Sequence, residues 1–148
     1  MRFYNWVKYL KTLSLFFSVQ GFLWAVWGSF DPLGIYDSLM AKAFFNRGLL
    51  PVEAASVLRF ILVPFGATTG GYFILQYFIA ANAFARREKW SYQAIFLAFI
   101  LWFIVDTTLS LYLRAYFNVL LANLPALLLM LPALVGSRKY FNDKVQTN

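Results

Sequence analysis

The sequence predicts an all-α fold: an integral membrane four-helix up-down bundle with a short amphipathic extracellular helix between spans 1 and 2. Three observations lead there. Of 148 residues, 61% are hydrophobic and only 13% are charged, about half the charged share of a soluble domain. The apolar residues gather into runs of about 20 or more, the length a helix needs to cross the hydrocarbon of a bilayer. The links between the later runs are short, as sequential antiparallel helices require.

The first run covers about 7–29, interrupted by Lys8, Lys11 and Gln20, and Asp31-Pro32-Leu33-Gly34 ends it as a turn. The second covers about 51–85. Pro51 suits a helical first turn, and the excess length implies tilt or extension beyond the bilayer. The third covers about 91–113 and the fourth about 115–135, stopped by Gly136. The whole chain, 1–148, reads as a single transmembrane domain without internal repeats.

The one long connection follows the first span. Within 35–47, Ile35, Leu39, Met40 and Phe44 recur near helical spacing, while Asp37, Lys42 and Arg47 lie elsewhere on the wheel. That pattern predicts a short helix lying on the membrane surface, with Gly48 as its stop.

Charge predicts the orientation. Arg2, Lys8, Lys11, Arg86, Arg87, Lys89, Arg138, Lys139 and Lys144 fall on one side of the predicted spans, and Lys42, Arg47, Arg59 and Arg114 on or near the other. Basic residues flank the cytoplasmic ends of membrane helices, so both termini are expected in the cytoplasm and the protein in the cell membrane. The net charge of +7 is explained by topology and anionic lipid rather than by nucleic acid.

The chain has no cysteine and no histidine. Disulfides, thiol chemistry, the usual zinc sites and histidine-ligated haem are thereby excluded, and no cofactor is expected. No phosphate loop, metal-ligand cluster or catalytic triad is present, so the reading leans away from an enzyme. Asp31 and Asp37 read as solvated loop acids.

The informative residue is Asp106, placed within the third apolar run. An ionisable group at that depth needs a partner and marks a functional hypothesis. Counted from the extracellular ends of their spans, Asp106 lies roughly 10 Å deep and Arg59 roughly 12 Å deep, at 1.5 Å per residue. Arg59, Val63, Gly66 and Gly70 share one helix face, and Gly66-x-x-x-Gly70 permits close helix approach. An Arg59–Asp106 ion pair is therefore expected. Gln20, Ser110, Asn118 and Asn123 add polar groups to the same half. Pro64, Pro125 and Pro132 remove backbone hydrogen bonds within the spans, and freed carbonyls can line a cavity.

Two functions compete. In the first, Gln20, Arg59, Asp106, Ser110, Asn118 and Asn123 form an outward-facing polar site for a small molecule, lipid or ion. Four helices enclose little volume, so a transporter built this way would act as an oligomer. In the second, the chain is a non-catalytic membrane subunit or assembly partner whose Arg–Asp pair is structural. The partners expected are the lipid bilayer, further copies or a larger membrane complex, and a small molecule or lipid.

Overall fold

The structure, a computed structural model, describes residues 2–27 and 34–142. It is 88% helix, with no strand among the described residues. Among the described residues six helices follow one another: α1 Phe3–Trp27, α2 Ile35–Phe45, α3 Val52–Phe84, α4 Lys89–Tyr112, α5 Tyr116–Ser137 and α6 Lys139–Asn142. The last residues of α3, Ala80–Phe84, and the stretch Val119–Asn123 of α5 form π-turns.

Three helices, α3, α4 and α5, are long and apolar enough to cross a membrane. The expected first span, α1, is 25 residues long but is not among the helices that are apolar enough by composition alone. Lys8 and Lys11 occupy its first third, and Ser14, Ser18 and Gln20 dilute the rest. The polar residues have a use in packing. Ser18 Oγ donates to the Gly70 carbonyl (3.1 Å), and Gln76 Nε2 donates to Ser14 Oγ (3.0 Å). Thus α1 is fastened to α3 by hydrogen bonds as well as by apolar contact. The predicted end of the first run at Ser29, together with Asp31 and Lys144, lies outside the described residues.

Antiparallel α1 and α3 make the most intimate contact in the molecule. Gly21 lies against Gly66 and Gly70, and a Cβ added to Gly21 would stand 2.5 Å from the Gly70 amide nitrogen. A Cβ on Gly66 would stand 2.5 Å from the Ala25 nitrogen. The small-residue stripe therefore brings two backbones together, as its spacing predicts. Pro64, inside α3, does not interrupt the helix.

One end of the molecule, here the basal end, gathers the beginnings of α1 and α4 and the ends of α3 and α5. Leu10, Phe84, Ile95, Met130, Ala133 and Leu134 are almost completely buried there, with Val7, Leu13 and Phe99 around them. Phe84 stacks at 5.7 Å from Phe3 and packs at 4.7 Å against Phe141, which stacks on Tyr92 at 5.2 Å. Arg87, at φ 60°, lays its guanidinium over Phe3 and Tyr140. The buried apolar cluster is confined to this end and the middle of the helices. The opposite, distal end is organised by polar groups instead.

At that distal end α2 runs over Ile35–Phe45, two residues shorter than the predicted segment. Gly34 (φ 65°) and Asn46 (φ 51°) turn the chain sharply at its two ends, a conformation glycine and asparagine adopt at least cost.

Candidate functional site

The distal polar cluster is built from α2, α4 and α5. Asp106 and Ser110 are one turn apart on α4, so both face α5. Asn118, at the start of α5, lies opposite them. Its side-chain nitrogen donates to Asp106 Oδ2 and to Ser110 Oγ, both at 2.9 Å. Its carbonyl oxygen accepts from the Tyr36 hydroxyl of α2 at 3.0 Å. Tyr36 also meets the Phe117 ring edge-on at 5.1 Å. A single asparagine thus joins three helices.

The π-turn explains why Asn118 and Asn123 both reach α4. Residues five apart on an α-helix point about 140° apart, whereas a wider π-turn brings them closer to one face. The Leu124 amide bonds back to the Val119 carbonyl, five residues away. Pro125, which has no amide hydrogen, follows directly. Asn123 Nδ2 then donates to Thr107 Oγ1 at 2.9 Å. Asn123 is fully buried, and its Oδ1 has no hydrogen-bond partner.

Of the six residues expected to form the site, Asp106, Ser110 and Asn118 are bonded together, and Asn123 is bonded one residue along α4 to Thr107. Gln20 is half-buried on α1 and makes no hydrogen bond to any of them. Arg59 is exposed, and the expected Arg59–Asp106 ion pair does not form. The reason is the level from which depth is counted. The helices are aligned at the basal end, where Phe84 and Tyr92 share Phe141 as a neighbour. Measured from Phe84 and Tyr92, Arg59 stands roughly 37 Å up α3 and Asp106 roughly 21 Å up α4. Counting from the distal ends made two different levels look equal.

Tyr36 and Thr107 were not anticipated. Tyr36 sits beside the predicted apolar stripe of α2, where its aromatic character reads as interfacial, and Thr107 has no distinguishing pattern at all. Tyr36 had one signal: it belongs to the segment predicted to lie on the membrane surface over the half that holds Asp106.

Tyr36 also records the local field. Its phenol is pushed up to about 12, first by burial and then by the negative charges of Asp106 and Asp37. The folded state therefore favours the neutral phenol. The stability this contributes is complete below the ordinary tyrosine range near pH 10 and is lost as pH rises through about 12. In a spectrophotometric titration, the difference between wild type and Tyr36→Phe should be one phenol ionising well above pH 10. A difference curve centred near 10 would mean that Tyr36 is not held beneath the two acids.

Comparison of the chain with protein-family models, curated proteins and solved structures finds no match. Its class rests on the physical features alone: an all-helical protein whose three apolar helices are compatible with embedding in a membrane.

Proposed function

We propose that this is a polytopic membrane protein that binds a small cation, inorganic or amine-bearing, at Asp106 from the distal side. The observation that carries the reading is the state of the Asp106 carboxyl group. It is half-buried, one oxygen is held by the Asn118 amide, and no basic side chain among the described residues forms a salt bridge with it. A carboxylate at membrane depth calls for a countercharge. The charges acting on neighbouring Tyr36 are both acidic, so the site attracts cations. Asn118 orients the acid, and the Ser110 and Tyr36 hydroxyls, both bonded to Asn118, supply neutral oxygens beside it.

In this reading α1 completes the membrane domain as a fourth crossing. Packing against α3 compensates for the hydropathy it lacks. Both termini then lie on the cytoplasmic side, and α2 lies on the outer surface. Singly introduced cysteines test this, since the chain has no native cysteine. A membrane-impermeant maleimide applied to intact cells should label Lys42→Cys and miss Lys8→Cys; the reverse pattern contradicts the orientation. Movement of the cation across the bilayer would require further copies, because four helices enclose little volume.

A second reading is favoured by one observation: Asn118 satisfies Asp106, Ser110 and Tyr36 within the protein. The cluster would then be a structural fastening for α2 in a non-catalytic membrane subunit. Asp106→Asn separates the two, because asparagine keeps an oxygen for the Asn118 amide but carries no charge. Cation binding lost with unfolding temperature preserved supports the site. A variant that leaves both stability and ligand response unchanged supports the fastening.

A further inference from the structure

The basal end carries a second feature, chemically opposite to the first. A cavity of about 250 Å³ lies between the start of α4 and the end of α5 with α6. Lys89, Gln93 and Arg138 line it together with Tyr92, Phe96 and Phe141. No acidic residue is among them. The nearest acid along the chain, Glu88, is already engaged: Arg86 Nε donates to Glu88 Oε1 at 2.6 Å and Trp90 Nε1 to Oε2 at 2.7 Å. Those bonds hold its carboxyl below the ordinary glutamate range. Glu88 is thus turned to Arg86 and Trp90 rather than to Lys89 or Arg138.

The wall of the cavity is preorganised. Tyr92 donates its hydroxyl to the Leu134 carbonyl at 3.2 Å, stacks on Phe141 at 5.2 Å and on Phe96 at 6.0 Å. Two cations and a side-chain amide therefore converge over a fixed aromatic surface. One wall residue, Phe96, continues onto the exposed apolar face of α4 with Leu97. Arginine and lysine at such a place match phosphate oxygens, and basic pockets between membrane helices on the cytoplasmic side take anionic headgroups. We propose that this cavity binds a phosphate-bearing group, supplied by the headgroup of an anionic phospholipid whose acyl chain lies along Phe96 and Leu97. The proposal is independent of the cation site at Asp106.

The test uses the full chain in detergent, with the unfolding temperature read during titration with phosphatidylglycerol, phosphatidylcholine or inorganic phosphate. Phosphatidylglycerol should raise the unfolding temperature saturably, as a ligand of the folded state does, and phosphatidylcholine should raise it less. Lys89→Gln combined with Arg138→Gln should weaken the phosphatidylglycerol midpoint roughly 30-fold, the loss for two basic side chains near an anionic surface. Arg2→Gln combined with Lys8→Gln removes the same charge from exposed basal positions outside the cavity and should leave the midpoint unchanged. Equal losses in both double variants, or no loss in the first, overturn the proposal. Inorganic phosphate alone should not reproduce the shift; if it does, the cavity takes free phosphate and the lipid assignment fails.

Discussion

Replacing Gly66 with leucine should prise α1 from α3 and abolish most of the folded protein. A Cβ there would come within 2.5 Å of the Ala25 nitrogen and 2.6 Å of the Gly21 oxygen. Both obstacles are backbone, so no side chain can swing aside. Overpacking a core costs about 1–3 kcal/mol where side chains yield, and the loss here should sit at or above the top of that range. Gly71→Leu is the internal control. Gly71 lies five residues further along the same helix, and a Cβ added to it meets nothing within 4 Å. Leucine there should be neutral or stabilise by up to about 1 kcal/mol through helix propensity. Thermal unfolding followed by size-exclusion chromatography in detergent measures both. Equal tolerance of the two substitutions would show that α1 and α3 do not meet at their glycines.

Asn118→Leu should be the most damaging change at the distal end. It removes the amide that holds Asp106 and Ser110 and the oxygen that accepts from Tyr36. Orphaned buried polar groups cost about 1–3 kcal/mol each. Asp106 and Tyr36 are only partly buried and water can reach them, so about 2 kcal/mol in total is the expected loss. Arg59→Gln should stay within about 0.5 kcal/mol, as exposed substitutions away from specific contacts do. Denaturant unfolding in micelles gives both values. A large loss from Arg59→Gln with little from Asn118→Leu would restore the ion pair and remove the asparagine-centred cluster.

The contrast between these residues shows what the sequence makes legible. Long apolar runs with only isolated charges, Arg59 in the second and Asp106 in the third, define α3, α4 and α5 to within a few residues, because a run of that length and composition has few alternatives to a long helix. The Gly66-x-x-x-Gly70 stripe was equally readable, since a missing side chain is visible in sequence and invites another backbone. The first helix was read correctly as a helix, but a run holding Lys8, Lys11 and two buried serines relies on its neighbour more than on its hydropathy. Asp106 was legible as a residue needing a partner, whereas the choice of partner was not. Depth along one axis admits several candidates, and it depends on which helix ends are level. The π-turn before Pro125 shifts the helical phase of Asn118 relative to Asn123, and α2 brings Tyr36 in from a segment remote in sequence. Neither rotation nor docking of that kind leaves a periodic trace.

The measurement that bears most directly on Asp106 is isothermal titration of the purified protein with butylammonium chloride and with sodium chloride, comparing wild type with Asp106→Asn. A cation site predicts a saturable heat with at least one of these ions in the wild type. That heat should be absent in Asp106→Asn, whose unfolding temperature should remain close to that of the wild type. The same heat from both proteins, or no saturable heat from the wild type with either ion, would contradict the assignment of Asp106 as the cation's countercharge.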